Sequence, residues 1–551
     1  MFKGHPKGLF VAFFSNMGER FGFYTMYAIF VLYIQSKFGI NAGWIWGFFL
    51  AAVYIGPLLG GFIADRWLGY GRSIRLGLVV MFFGYIFLFI PGTGLPVIYG
   101  ALGLIALGTG FFKGNLQALV GNMYDDPKYS PLRDSAFSIF YMGINIGAFF
   151  APHAANGMVT WNMGRNGFFY NAEIPALAHE FLQGHLAVHD KLAKLALEQG
   201  PQFADLTAFS QHYIKSIGES YNFAFGIAAI AMIISMIIFL LFRKHYATAD
   251  ITETEKAKSK DRATEVVNLT SEQTRARLMA LGLVFITVIF FWMSFHQNGL
   301  TLTYFAHDFT AGQVSPFTYT FFSLKSFLPL ILGIIGLMML VSKGEKWTRI
   351  LGGAMLVVGP VVSYLVFRTF GPENPIQPQD FQQFNPLFIV LITPVLLALF
   401  TYLRNRAKEP SAPRKIGIGM MLAAVAFAIL IIPSLKLASP ISLGGPGNVS
   451  PSLVSPYWLI SSYFALTIAE LFLSPMGISF VSKVAPPKYK GLMQGGWFAA
   501  TAAGNLLVGI MGYFWTVVSL PVFFCILVVA CLISAAFIFS VIKRLEKASQ
   551  A

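Results

Sequence analysis

Fourteen apolar runs, each about as long as a bilayer is thick, follow one another along this chain. A helix needs about 20 apolar residues to cross the hydrocarbon core. The runs lie near 9–35, 43–64, 76–91, 97–121, 134–154, 219–242, 278–298, 322–342, 348–369, 384–403, 415–436, 456–482, 490–517 and 521–542. They define an all-α polytopic membrane protein of 14 spans. Composition agrees: of 551 residues, 56% are hydrophobic and only 11% are charged. Soluble domains carry about 25% charged residues. The opening "MFKGHPKG" leads straight into a run too long for a signal-peptide core, so the first segment is expected to be a retained helix.

Charge placement sets the orientation. A net charge of +15 on a soluble protein would suggest a nucleic-acid partner. Here Lys and Arg cluster on alternate loops, as in Arg66, Arg72 and Arg75, then Arg243, Lys244 and Lys256, then Lys543, Arg544 and Lys547. The opposite short loops are almost free of them. By the positive-inside rule both termini are expected to be cytoplasmic, and no nucleic acid is expected. Cys525 and Cys531 share one apolar run and suggest neither a disulfide framework nor a metal site.

Three segments depart from a plain series of spans. Residues 155–218 form an insert expected to lie outside the cytoplasm. Within it, "ALAHEFLQGHLAVHDKLAKLALEQG" reads as one amphipathic helix, with Leu177, Phe181, Val188, Leu192 and Leu195 on one face. A charged linker at 244–277 divides six helices from eight. The pair at 322–369 returns the chain to the same side and carries no ionisable residue likely to be charged in its apolar runs, so it is expected to be peripheral. The domains are therefore 1–243, the linker 244–277 and 278–551, in a six-plus-six-plus-two arrangement.

The stretch "SNMGERFGFYTMYA" places Glu19 and Arg20 side by side within the first run. A charge at the centre of a spanning helix costs about 2.5–3.5 kcal/mol on insertion scales. Asn16, Glu19, Arg20, Phe23, Tyr24 and Tyr27 fall on one helical face. Such a stripe faces a bundle interior or an aqueous cavity. Lys113, Asn145, His296, Gln297, Asn385 and Glu470 add polar groups inside other runs, and Glu470 is the only acid expected within the second-half spans. Each could join helices by hydrogen bonding. Together, acids and bases set apart in a membrane match either a zwitterion or a proton route.

These residues resemble the proton-dependent oligopeptide transporter family of the major facilitator superfamily. "ERFGFY" resembles the family's ExxERFxYYG motif, and "GGFIADRWLGYGRS" resembles the superfamily loop between the second and third helices. "GTGFFKGNLQALVGNMY" and "FYMGINIGAF" resemble the two family signatures, and "FNPLFI" and "AELFLSPMG" match the second half. The resemblance implies two six-helix bundles rocking about a central site, and proton-driven import of di- and tripeptides. It implies that Arg20 and Lys113 hold the peptide carboxylate. Glu470 would hold the amino group, helped by Asn145 and Asn385, while Tyr24, Tyr54 and Trp497 line the pocket. Glu19 and Glu470 would serve proton coupling. Departures from the family pattern stand at Asn16, Phe23, Tyr27 and His296. With an acid replaced at Asn16, Glu19 is expected to be shared between Arg20 and Lys113. His296 is expected to be a proton-coupling group close to Lys113.

No enzyme motif and no cofactor emerge. An import system for another small organic anion or nutrient is the nearest alternative. A membrane enzyme is a remote one, with a metal site on the insert at His179, Glu180, His185 and His189. The chain is expected to work as a monomer in the lipid bilayer of a bacterial-type inner (plasma) membrane.

Overall fold

The computed structural model describes residues 4–186, 189–203, 205–252, 270–341, 346–445, 447–486 and 490–550. The first half contains α1 (Lys7–Phe38), α2 (Gly43–Ile63), α3 (Tyr70–Phe89), α4 (Leu95–Asn122), α5 (Arg133–Arg165), α6 (Ile174–Leu182), α7 (Asp190–Gln199) and α8 (Leu206–Leu241). The second half contains α9 (Ser271–Phe295), α10 (Thr301–Asp308), α11 (Leu324–Val341), α12 (Lys346–Phe367), α13 (Phe384–Asn405), α14 (Ala412–Ser434), α15 (Pro456–Val484), α16 (Lys490–Val517), α17 (Leu520–Ser540) and α18 (Ile542–Gln550).

Twelve helices among the described residues are long and apolar enough to cross a membrane. The expected spans 9–35 and 134–154 fall on α1 and α5. These have 32 and 33 residues but are not among the twelve. α1 carries the polar stripe, which lowers its mean hydropathy.

Helix ends follow local chemistry. α1 stops at Gly39, whose φ of 66° lets its N–H return to the Gln35 carbonyl. Asp205 caps α8, accepting from the Thr207 and Ala208 N–H groups. Thr270 and Gln273 form a reciprocal capping box at the start of α9. Small residues then set how closely helices approach, as in other membrane bundles. A Cβ added at Gly60 of α2 would lie 2.2 Å from the Gly110 carbonyl oxygen of α4. One at Gly77 of α3 would lie 2.6 Å from the Gly108 carbonyl oxygen.

The two halves meet at the end of the bundle remote from the chain termini. Gly47 of α2 and Gly509 of α16 touch backbone to backbone, where a Cβ on Gly47 would be 2.9 Å from the Gly509 nitrogen. Asn41 donates to the Gly512 carbonyl at 3.2 Å, and the Ala42 N–H donates to the Tyr304 hydroxyl at 3.1 Å. α11 and α12 pack chiefly on each other through Gly336, Gly352 and Gly359. Their outer faces are exposed, with Val341 at 77% and Val357 at 65%. A two-residue ribbon, Gln313–Val314 against Asn374–Pro375, ties the base of this hairpin.

Three expectations change. The insert is not one helix, because Gly184, at φ 72°, breaks it between α6 and α7. Leu177 and Phe181 lie on α6 and Leu192 and Leu195 on α7; Val188 lies outside the described residues. α5 and α8 both run on into the expected insert 155–218, and the stretch between them is 166–205. The seventh run does not end at 298. It kinks through a 3-10 turn at His296–Gly299 and continues as α10 to Asp308. Most of the linker, 253–269, lies outside the described residues.

Candidate functional site

The polar stripe of α1 turns inward, as a spanning helix with charges must. Glu19 is fully buried and Arg20 is 4% exposed. Arg20 donates twice to Glu19, Nε to Oε2 and Nη2 to Oε1, both at 2.5 Å. This fork is the geometry in which guanidinium and carboxylate bond most strongly. The guanidinium also lies over the Phe23 ring, 4.6 Å from its centroid.

Lys113 projects from α4 and is placed differently from the sequence expectation. Its Nζ lies 4.5 Å from the centroid of the Tyr54 ring on α2. It makes no ion pair with Glu19; the Glu19 carboxylate has both oxygens on Arg20. Lys113 remains within electrostatic reach of both members of that pair. A cation–π contact is a weaker hold than an ion pair in a desolvated site, so the ammonium is available to an incoming anion.

His296 sits at the α9 kink, buried and stacked on Trp292 with ring centroids 4.9 Å apart. Its Nδ1 bonds the Asn505 side-chain oxygen of α16, and its ring is 5.8 Å from that of Tyr54. Because Asn505 presents its oxygen, Nδ1 is the nitrogen that carries the proton in this arrangement. Lys113 is within electrostatic reach of His296.

The second half supplies the acid. Glu470 on α15 is 8% exposed and accepts from Asn385 Nδ2 of α13 at 3.0 Å. The same Asn385 nitrogen reaches Thr467 Oγ1 at 3.0 Å. Between the halves stands Tyr24, electrostatically coupled to both Arg20 and Glu470. Asn145 donates to the Tyr141 carbonyl of its own helix at 3.0 Å, leaving its oxygen unused in that bond. Trp497 is committed to packing, since a Cβ on Gly477 would lie 2.0 Å from its ring. Asn16, which stands where the family motif has an acid, leaves its Nδ2 buried and without a partner.

Some members of the site were not foreseen. Asn505 is a lone amide in "AATAAGNLLVG", and the rule that singled out Asn145 applied to it equally. Asn298 accepts from the Tyr27 hydroxyl at 2.7 Å, and its carbonyl accepts from the Tyr463 hydroxyl at 3.1 Å. Tyr27 fits because residue 299 is glycine, where a Cβ would meet its hydroxyl at 2.4 Å. Glu470 is not the only buried acid of the second half either. Asp308 and Asp380 are 1% and 7% exposed, and each ends or begins an apolar helix. The insert's histidines go separate ways: His179 to the Ser36 carbonyl, His189 to the Leu186 carbonyl. Among the described residues no group of three His, Cys, Asp or Glu side chains could hold a metal ion.

The whole fold is shared with solved membrane transporters. A crystal structure of the peptide transporter POT in complex with sulfate superposes with a TM-score of 0.68 at 24% identity, over 100% of this chain and 97% of that one. The fold is therefore the one those transporters have, with two helical halves around a buried polar centre. The POT family model matches residues 72–263 and 366–522, and the chain belongs to the POT family. It is similar to the peptide transporter YePEPT of Yersinia enterocolitica, 27% identical over 537 residues, 93% of this chain and 88% of that protein. It is also 27% identical over 523 residues to the di-/tripeptide transporter of Lactococcus lactis, 92% of this chain and 89% of that protein.

Proposed function

We propose that this chain is a proton-coupled symporter that imports di- and tripeptides by alternating access. One observation carries the reading. A buried Arg20, and a Lys113 with no ion pair among the described residues, share Tyr24 and Tyr54 as neighbours with a buried, amide-bonded Glu470 of the second half. A zwitterionic peptide has a carboxylate for the former and an ammonium for the latter. Clamping only the termini leaves the side chains free to vary.

The Arg20 fork is already filled by Glu19, which suggests how a proton enters the cycle. A carboxylate left unpaired in a buried site is strongly unfavourable. Glu19 can therefore release Arg20 to the peptide carboxylate once it has taken a proton itself. The proton forms an O–H bond on Glu19, and the guanidinium exchanges one carboxylate for another. Glu470 and His296 are the other proposed proton-coupling groups. One proton is enough to drive accumulation. A potential of 100 mV supplies about 2.3 kcal/mol per charge. One pH unit adds about 1.4 kcal/mol. Together these support accumulation of a neutral cargo by roughly several hundredfold.

The two six-helix bundles are assigned to 1–243 and 278–551, with fourteen spans in all and α11 and α12 as accessories. Both termini lie on the cytoplasmic side of the inner membrane, and the end where Asn41 meets Gly512 faces outward. The transporter works as a monomer in lipid, with Tyr24, Tyr54, Asn145, Asn385 and Trp497 lining the substrate pocket. The deciding experiment is uptake into liposomes driven by an imposed pH gradient, with a panel of dipeptides. Uptake that follows the gradient and is competed by free dipeptides supports the reading. Uptake indifferent to the gradient removes the proton, and lack of competition removes the peptide.

A further inference from the structure

The second half holds a buried carboxyl that the mechanism above does not use. Asp380 lies on the 3-10 turn Pro378–Gln383 that leads into α13. Its two oxygens have different duties. Oδ2 accepts from the Gln377 N–H at 2.8 Å and so caps its own turn. Oδ1 accepts from the Asn156 side chain, which belongs to α5 in the other half. Asn156 in turn accepts from the Gln379 side chain. One turn along α5, His153 Nε2 pairs with Gln383 Oε1 at 2.7 Å. Gln377 Nε2 reaches Thr160 Oγ1 at 3.2 Å. The turn is thus stitched to α5 by a polar seam between the two halves.

Among the described residues no Lys or Arg side chain pairs with Asp380. The titratable groups around it are few. α5 contributes His153, and the segment after α5 contributes Tyr170. Tyr319 approaches from the turn before α11. α10 carries His307 and Asp308, which pair with each other at 2.7 Å. α1 presents the Ala28 carbonyl to Gln382, while its Tyr27 is bonded to Asn298 and its Tyr33 to Lys37. α13 has no ionisable side chain from Phe384 to Thr401. Among the described residues Asp380 therefore has hydrogen bonds but no counter-cation.

A buried carboxylate in that position is held only by its donors. Alternating access requires the outward end of the bundle to open. Opening parts α5 from the turn, breaks the bond to Asn156 and wets Asp380. Resealing over a charged Asp380 costs its desolvation, whereas resealing over a neutral one does not. The seam can accept either form. An Asn amide that turns over offers its oxygen to a carboxylic O–H as readily as it offers its N–H to a carboxylate. With the Asn156, Gln379 and Gln377 amides all reversed, Oε1 of Gln379 accepts from both neighbouring amides and Oε1 of Gln377 accepts from the Thr160 hydroxyl.

We infer that Asp380 is a further proton-coupling residue, which takes a proton from the outside medium when the seam is open and so favours its closure. The step is a protonation alone: external water delivers the proton, and the new O–H neutralises the carboxylate. The inference rests on the proton-coupled reading above. It adds to it a residue that touches neither peptide terminus.

The test uses the full chain in liposomes, with Asp380→Asn and Asp380→Ser as neutral variants and Asp380→Glu as the conservative one. Initial dipeptide uptake is measured against external pH at fixed internal pH, and counterflow is measured without a gradient. A single titrating acid can change a rate by up to about tenfold per pH unit above its pKa. The neutral variants should flatten that external-pH dependence to about twofold or less across the same range, with counterflow kept within about twofold. Asp380→Glu keeps both the cap and the acid and should restore the dependence. A neutral variant with the wild-type pH profile overturns the inference. So does a set in which every neutral variant loses folding or counterflow, since the role is then structural. If wild-type uptake ignores the gradient, it is the proton-coupled reading that fails.

Discussion

At the scale of single residues, the site depends on where each charge finds its partner. Among the described residues Glu470 receives one amide hydrogen bond, from Asn385, and no cation. A peptide ammonium would supply the missing charge. A hydrogen bond to a charged group contributes about 1.5–3 kcal/mol. Glu470→Gln should therefore weaken half-maximal dipeptide competition by about 10- to 100-fold. The check is competition by free and N-acetylated dipeptides, which should differ sharply in wild type and much less in the variant. Equal competition in wild type would remove the amino-group assignment. His296 calls for a different readout. It is bonded to Asn505 and lies beside the Lys113–Tyr54 contact, so a neutral amide could keep the bond but not carry a proton. His296→Gln should lower concentrative uptake while sparing counterflow, which needs no net proton movement. Concentrative uptake unchanged in the variant would take His296 out of the coupling. Glu19 and Arg20 were legible as a pair from sequence, because adjacent charges in an apolar run need each other. That Lys113 stands apart from them was not legible, because it depends on where α2 places Tyr54.

At the scale of elements, α6 does more than fill the insert. His179 reaches the Ser36 carbonyl of α1 at 3.0 Å, and Glu180 accepts from Asn448 of the second half at 2.6 Å. With Gln35 and His307 they border a cleft of about 510 Å³ at the end remote from the chain termini. The insert therefore bridges the two halves through the Glu180–Asn448 bond. Opening that end must separate Glu180 from Asn448. Cysteines at these two positions, with Cys525 changed to Ser, should allow oxidation to arrest both uptake and counterflow, and reduction should restore them. Transport that continues with the crosslink formed would mean that the halves do not part there. At the opposite end, Glu409 clamps the loop between α13 and α14. Hydrogen bonding from the Arg404 guanidinium, joined by Lys415, holds its carboxyl down at about 2. The folded value lies below the ordinary one, so the clamp's stabilisation is present above about pH 4.5 and is lost as pH falls through about 2. Thermal melting of wild type and Glu409→Gln should differ by no more than about 3 °C, with the gap constant from pH 7 to pH 5. A gap that closes within that range would contradict the assignment.

At the scale of the whole molecule, two halves are sealed at one end by close backbone contacts and polar seams, and α11 and α12 take little part. Replacing 322–369 with a short linker should leave folded protein with dipeptide uptake within about twofold of wild type. Collapse of uptake in protein that still purifies as a monodisperse species would show that the hairpin supports the transport cycle. Much of this architecture was readable in advance. Apolar runs, alternating basic loops and the "ERFGFY" and "AELFLSPMG" motifs fixed the membrane class, the polar face of α1 and the family to be expected, because each depends only on residue types close together in the chain. What the chain could not reveal locally was pairing at a distance. Asp380 falls just ahead of the expected span at 384–403, yet it bonds Asn156, 224 positions away. Val188 was placed on a helix continuous from Leu177, yet Gly184 ends that helix first. Hydropathy sums over a window and tolerates a shift of a few residues. A hydrogen bond between helices fails with a shift of an ångström, and only the packed tertiary structure decides which donor meets which acceptor.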